Sequence, residues 1–434
     1  MKFYNREKEL KNLQNIEQAS KESAKMTIIV GRRRIGKTTL IKEAYPKKLY
    51  LFVSKKNEAL LCNEFSKIIE EQLEVKIFGE IKTFKELFAF LMELSTTRAF
   101  TLIIDEFQEF LSINASLYSD MQNIWDSYKD RSQMNLVLSG SIYSLMKRIF
   151  EDRKEPLFGR ANNKIELKAF SVLTLKEILK DYAPHYTPDD LLSFYILTGG
   201  VAKYVEIFVD AKAFTLEKQL DLIFDDYSLF LDEGKNLLIE EFGKEYTTYF
   251  SILSLIASSK TSRTEMESIL ERNIGGYLEK LEKEYNIIKK IKPIFAKEGS
   301  RTVKYEIVDN FFNFWFRFIY KYRSAIELEN YEYVKQIVKR DYETYSGIFL
   351  ERYFQEKLRL SYAYSTIGNY WERGNQNEID IVAINEDKKQ ILIAEVKRNP
   401  KKIDMHKVEQ KALKLLTKYS KYDVEYKGFS LDDM

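Results

Sequence analysis

Residues 26–38 read MTIIVGRRRIGKT, and LIKEAY follows after one more threonine. Met26–Val30 is short, apolar and β-branched, which predicts a buried strand. A loop bounded by Gly31 and Gly36 comes next, and a helical pattern continues from Lys37. This strand, loop and helix fit the spacing G-x-x-x-x-G-K-[ST]. The glycines allow backbone conformations that aim amide N–H groups at an anion, and the helix start adds the positive end of its dipole. Gly31, Arg32, Arg33, Arg34, Ile35, Gly36, Lys37, Thr38 and Thr39 are therefore expected to cradle the phosphates of ATP. Lys37 would sit on the β- and γ-phosphates, and the Thr38 hydroxyl would ligate Mg²⁺.

Two further strands support that reading. TLIIDEFQEF (Thr101–Phe110) runs a buried strand into paired acids. Asp105 is expected to support Mg²⁺ and Glu106 to polarise the attacking water. NLVLSGS (Asn135–Ser141) ends in small polar residues, so Ser139 or Ser141 is expected at the γ-phosphate or the water, with Ser139 taken as the site residue. The order of these strands suits an ATPase with an additional strand. Arg160, in PLFGR after a predicted helix at Ile142–Phe150, is placed to reach a γ-phosphate in the same or a neighbouring subunit.

Composition narrows the rest. The chain has 434 residues, enough for about three domains. Only 16 Gly and 6 Pro argue for long elements. A single cysteine, Cys62, excludes an internal disulfide framework and a thiolate zinc cluster. The two histidines, His185 and His406, argue against a His-based metal site. No secretory signal core is visible at the charged start, and the most apolar stretch, Phe311–Tyr320, is too short to span a bilayer. The chain thus reads as cytoplasmic, with no membrane partner. Net charge is only +3, but residues 1–50 hold 13 Lys/Arg against 5 Asp/Glu, and residues 289–304 hold 6 against 1. Either run is as well explained by a solvated face.

The motifs together resemble a family of archaeal-type, AAA-related ATPases. The resemblance rests on the opening FYNREKEL (Phe3–Leu10), the GRRRIGKT loop, LIIDEFQ, LSGS, PLFGR and LTGGVAKY (Leu197–Tyr204), in that order across about residues 1–230. It implies an α/β P-loop NTPase with a parallel sheet and a helical lid. It also implies that Tyr4 and Arg6 line the nucleotide pocket, and that the ATPase domain can form a homo-oligomer. Ala202 stands where that family has proline.

Beyond the lid, helical spacing at Glu245–Ala257, Ser262–Leu270 and Ile274–Tyr285 precedes two predicted strands, Ile287–Ile294 and Val303–Val308. Three helices and a basic hairpin fit a winged helix. If it binds DNA, phosphates would favour Lys289, Lys290, Lys292, Lys297 and Arg301; it serves equally as a spacer, since the third helix is rich in glutamate. The aromatic run Asp309–Tyr322 is too dense for one amphipathic stripe and reads as an interface helix buried on most sides.

Near the C-terminus, Asn377–Ala383 and Gln390–Lys397 read as a hairpin. Asp380 lies on its first strand, while Glu395 and Lys397, two apart, share a face of the second. Asp380 and Glu395 would hold Mg²⁺, with Lys397 activating a water against a phosphodiester. Glu351, on an upstream helix, would complete the ligand set. Residues 341–425 resemble the restriction-endonuclease-like (PD-(D/E)XK) fold in this respect, and the C-terminal domain attached to many ATPases of the family above.

The expected organisation is a P-loop core (1–165), a lid (166–240), a winged helix (241–322) and a nuclease-like domain (323–434). The function expected is ATP hydrolysis whose nucleotide state regulates a DNA-binding or DNA-cleaving C-terminal domain. The alternative is a slow nucleotide switch carrying an inactive nuclease-fold binding module.

Overall fold

The computed structural model describes residues 1–296, 299, 302–372, 374 and 376–434. They form two compact units, Lys2–Lys168 and Ala169–Met434.

The first unit is built on five parallel strands: β1 (Lys25–Val30), β2 (Leu49–Phe52), β3 (Phe100–Asp105), β4 (Met134–Gly140) and β5 (Asn163–Glu166). Their order is β2-β3-β4-β1-β5, so β4 is inserted between the strand before the glycine loop and the strand ending in Asp105. β1, β3 and β4 are buried nearly throughout. That burial explains their continuous apolar runs, which show no alternation. Two of the polar residues inside the sheet, Thr101 and Asn135, are bonded in a chain. Asn135 Nδ2 donates to Thr101 Oγ1 at 3.2 Å, and Thr101 donates to Glu17 of the helix Glu7–Ser20 at 2.9 Å. A core of Phe65, Phe84, Phe88, Phe107, Phe110 and Trp125 closes one side.

The second unit starts with the helices Val172–Tyr182, Pro188–Thr198, Ala202–Asp210 and Leu216–Ile223. Helices Tyr246–Ala257, Arg263–Leu270 and Gly275–Lys283 follow, then the antiparallel hairpin β6 (Ile288–Ile291) and β7 (Lys304–Ile307). Ser262 caps its helix by accepting from the Glu265 amide, as the spacing predicts. Next comes the aromatic run, a helix Asn310–Phe314 continued by a π-helical turn, Trp315–Tyr320. Its side chains reach the helix Ala202–Asp210 (Phe311 to Tyr204, 4.8 Å between rings), the three-helix segment (Trp315 to Phe250, 6.1 Å) and the long helix Tyr331–Leu360 (Phe318 to Tyr345, 4.9 Å). The run is aromatic on all sides because it has a partner on all sides.

The chain ends as helix, three strands, helix and strand: Tyr331–Leu360, β8 (Thr366–Tyr370), β9 (Ile379–Asn385), β10 (Gln390–Val396), helix Met405–Leu416 and β11 (Asp423–Phe429). The sheet order is β11-β10-β9-β8, with β11 parallel to β10 and the other pairs antiparallel. The three segments expected after the core are joined into one unit by ionic and aromatic ties to the long helix. Arg352 pairs with Glu306 at 2.9 Å, and the Tyr195 hydroxyl donates to Glu356 at 3.2 Å. No helix among the described residues is long and apolar enough to cross a membrane.

Candidate functional site

The first centre lies at the carboxyl ends of β1, β3 and β4, where open α/β sheets bind ligands. Gly31 leaves β1 packed against the segment after β5; a Cβ there would meet the Leu167 carbonyl at 2.8 Å. Gly36 has φ 99° and starts the helix Lys37–Ala44, so the loop needs glycine at that turn. Lys37 is buried and folds back on its own loop, donating to the carbonyls of Gly31 (2.6 Å) and Arg32 (3.2 Å). Burial lowers its ammonium to about 8, although Glu106 and Asp105 pull the other way. A buried cation held only by carbonyls fits an incoming phosphate.

Asp105 ends β3, facing Thr38: the Thr38 hydroxyl donates to Asp105 Oδ2 at 3.5 Å. A hydroxyl and a carboxylate meeting there fit a magnesium ion held partly through water. Glu106 follows in a left-handed conformation, φ 54°. Its Oε2 accepts from the Ser141 hydroxyl (2.6 Å) and the Gln108 amide (2.6 Å). Of the two serines, Ser141 therefore meets Glu106, while Ser139 is fully buried in β4 and its hydroxyl has no partner among the described residues. Arg160 is held elsewhere: its guanidinium donates to Asp126 (2.8 and 3.1 Å) and to the Pro156 and Phe158 carbonyls. Tyr4 and Arg6 are buried, and Arg6 donates to the Lys168 carbonyl at 2.7 Å, next to the residue that packs on Gly31. Burial lowers the Arg6 guanidinium.

Sequence reasoning missed two participants. Gln108 is the second donor to Glu106. Tyr50 of β2 donates to Asp105 Oδ2 at 2.5 Å, and burial together with Asp105 pushes its phenol upward. Tyr50 is in register with Ile103, two residues before Asp105, so it shares the Asp105 face. Only the strand pairing reveals this.

The second centre lies where β9 and β10 meet. Asp380 Oδ2 accepts from the Val396 amide at 2.8 Å and from the Lys397 ammonium at 3.0 Å. Lys397 also pairs with Glu395 Oε1 at 3.2 Å, and Lys411 reaches the same oxygen at 3.5 Å. Glu395 is 8% exposed, and its other oxygen, Oε2, is buried with no partner among the described residues. Glu351 comes from the long helix; burial first, and then the Asp380 charge, push its carboxyl well above the usual range. Lys397 is raised by Asp380 and Glu395, against the cost of burial. The acids thus converge electrostatically, but Lys397 stands between two of them. Among the described residues no three His, Cys, Asp or Glu are grouped to hold a metal ion. The orphaned Glu395 oxygen and the protonation-prone Glu351 are groups that an added cation would suit.

The hairpin lysines differ in their partners. Lys289 pairs with Glu306 at 3.3 Å, while Lys290 and Lys292 are exposed. Lys297 and Arg301 lie outside the described residues.

Comparison with known proteins gives two family matches. Residues 3–208 match the family described as an ATPase domain predominantly from Archaea. Residues 315–410 match one described as archaeal and bacterial proteins of unknown function. An uncharacterized protein of Methanocaldococcus jannaschii is 29% identical over 439 residues, spanning 97% of this chain and 94% of that protein. Among solved structures, a Walker-type ATPase of Pyrococcus abyssi is similar at a TM-score of 0.54 and 18% identity, over 72% of this chain and 96% of that one. The ORC2 protein of Aeropyrum pernix, solved in ADPNP–ADP complexes, is similar at a TM-score of 0.50 and 17% identity, over 76% and 95%. The α/β fold with a five-stranded parallel sheet is therefore one shared with P-loop ATPases.

Proposed function

We propose that this chain hydrolyses ATP at the Gly31–Thr39 loop, and that its nucleotide state governs a C-terminal centre acting on DNA. The observation that carries the first part is the meeting of Lys37, Thr38, Asp105 and Glu106 at neighbouring strand ends, with Ser141 bonded to Glu106. Lys37 would exchange its carbonyl partners for the β- and γ-phosphates. Thr38 and Asp105 would hold Mg²⁺, which when bound neutralises charge developing on the phosphoryl oxygens. Glu106 would orient the attacking water and accept its proton, with Ser141 and Gln108 setting the carboxylate's direction. The ORC2 protein's complexes with ADPNP and ADP support adenine nucleotide as ligand. Arg160, committed to Asp126, is left out of this machinery.

For the C-terminal centre, the meeting of Asp380, Glu395 and Lys397 where β9 joins β10 supports the reading of a nuclease-like core. The DNA reading rests on that constellation. Two observations favour a second reading, a slow nucleotide switch with a binding module: Glu106 is held by two donors, and Lys397 fills the space between Asp380 and Glu395.

One preparation tests both. The purified chain would be incubated with Mg²⁺ or Mn²⁺ and labelled single- or double-stranded DNA, with and without ATP, beside an Asp380→Ala/Lys397→Ala variant. We expect metal-dependent cleavage that the variant loses and ATP modulates. ATP binding without cleavage of any substrate would select the switch, and absence of both ATP binding and turnover would reject the reading altogether.

A further inference from the structure

The C-terminal centre is bordered by an unusually basic segment. Residues 397–421 hold nine Lys/Arg (Lys397, Arg398, Lys401, Lys402, Lys407, Lys411, Lys414, Lys418, Lys421) against two acids, Asp404 and Glu409. That excess of seven charges exceeds the five of the basic hairpin segment, and although Lys397, Arg398, Lys407, Lys411 and Lys414 have carboxylate partners, the other four cations do not. Lys401, Lys402, Lys418 and Lys421 are exposed and make no ion pair among the described residues.

The lysines are also ordered. Lys407, Lys411 and Lys414 recur at spacings of four and three on the helix Met405–Leu416, so they share one face. The adjoining stripe, Val408, Ala412 and Leu415, is buried against the sheet and fixes the helix's rotation. Lys411, at the middle of the row, reaches Glu395 Oε1 at 3.5 Å. The row therefore touches the carboxylate centre at its middle and runs on through Lys414, paired with Glu372 at 2.7 Å, towards Lys418. From Lys407 to Lys414 the rise is about 10 Å at about 1.5 Å per residue. Each strand of duplex DNA offers a phosphate about every 3.4 Å of axis, so this row matches roughly three phosphates.

We propose that the lysine face of the helix Met405–Leu416, with Lys401, Lys402 and Lys418 at its ends, docks the backbone of duplex DNA beside the Asp380–Glu395 centre. The inference rests on the DNA reading above and moves the contact away from the hairpin. Ion pairs engage lysines at both places: Lys289 with Glu306 and Lys304 with Glu378 at the hairpin, Lys407 with Asp404 and Lys414 with Glu372 on this helix. The difference is that the hairpin leaves Lys290 and Lys292 exposed with no ion pair among the described residues, whereas the C-terminal segment leaves Lys401, Lys402, Lys418 and Lys421.

The test is anisotropy of a labelled duplex titrated with the full chain between about 50 and 200 mM salt. It compares the wild type, Lys407→Ala/Lys414→Ala/Lys418→Ala, and Lys289→Ala/Lys290→Ala/Lys292→Ala. ATP turnover and melting temperature serve as folding controls. The first variant should bind at least about tenfold more weakly. Its slope of log affinity against log salt should shrink by about 2.7, since each phosphate contact contributes about 0.9. The hairpin variant should bind as the wild type does. Unchanged affinity and slope in the first variant, or loss in the hairpin variant instead, would overturn the proposed face while leaving the DNA reading standing. A wild type that binds no duplex, yet binds anionic vesicles, would overturn both.

Discussion

The two charged centres are built with opposite signs. At the P-loop, a buried ammonium donates to backbone carbonyls, and Lys37 falls to about 8 because burial strips its water by more than Glu106 and Asp105 make up. At the β9–β10 junction, buried acids crowd one lysine, and Glu351 rises because Asp380 repels its charge as its own water is stripped away. The first site is short of an anion and the second of a cation. Each defect is matched by the ligand proposed for it: a phosphate in one, a divalent metal in the other. An internal substitute also fills each of them, loop carbonyls at Lys37 and Lys397 between Asp380 and Glu395.

The largest effect should come from removing the buried cation. Lys37→Ala is expected to cut ATP turnover at least about 100-fold, the cost of deleting a charge aimed at developing charge in a dry site. Turnover of the purified variant within a few-fold of wild type would remove Lys37 from the chemistry and dissolve the contrast between the sites.

How Glu106 is held comes next. Ser141→Ala leaves its carboxylate with the Gln108 amide alone. A hydrogen bond to a charged group contributes about 1.5–3 kcal/mol, so kcat should fall about tenfold or more. Nucleotide affinity, measured by fluorescence titration, should stay put, because the Ser141 hydroxyl is engaged by Glu106. A loss in affinity with kcat intact would mean Ser141 contacts nucleotide instead of orienting Glu106.

The two sites also differ in how far their sequences disclose them. The P-loop is contiguous, and its glycines dictate a backbone, so one line of sequence specifies the whole cradle. Met26–Val30 and Thr101–Asp105 were readable as strands because both faces of the sheet are covered. The order of the strands suited an ATPase with an additional strand, but only the pairing shows β4 beside β1. Tyr50 was invisible for the converse reason: its partner lies on another strand, and only the register Tyr50–Ile103 shows that the two side chains share a face. Ser139 and Ser141 could not be separated by spacing, because the bend of the chain after Gly140, and not the strand's alternation, decides which reaches Glu106. At the second centre, the hairpin pattern brought out Asp380, Glu395 and Lys397. It could not say that Lys397 would bridge the acids, since side-chain direction in an ionic cluster depends on all its members at once. Arg160 shows the same limit, because Asp126, 34 residues earlier, claims it.

Tyr50 offers a milder probe of the first centre. Its hydroxyl fixes the oxygen of Asp105 that faces Thr38. Tyr50→Phe removes that hydroxyl and little volume. The Mg²⁺ concentration giving half-maximal turnover should rise about threefold, about 0.65 kcal/mol, within the range of one net hydrogen bond. Nucleotide binding in EDTA should not change. A lower Mg²⁺ requirement would show Tyr50 competing with the metal.

The smallest expected effect concerns Glu351 in metal-free protein, and it tests the cation deficit directly. A carboxyl raised above its unfolded value binds its proton more tightly in the folded chain. Its relative contribution to stability is thus complete below the unfolded value, near 4.5, and is lost as pH climbs through the folded one. At neutral pH with a chelator, the charged form is a liability. Glu351→Gln removes it and keeps the shape, so the melting temperature should rise by about 2–4 °C, the response of a large domain to about 1 kcal/mol. The gap between variant and wild type should close towards pH 4, where the wild-type carboxyl is protonated and resembles the amide. Saturating Mn²⁺ should close it from the other side, by stabilising only the chain that keeps the carboxylate. A gap that ignores both pH and Mn²⁺ would make Glu351 an ordinary packed residue, and the electrostatic mirror between the two centres would then rest on Lys37 alone.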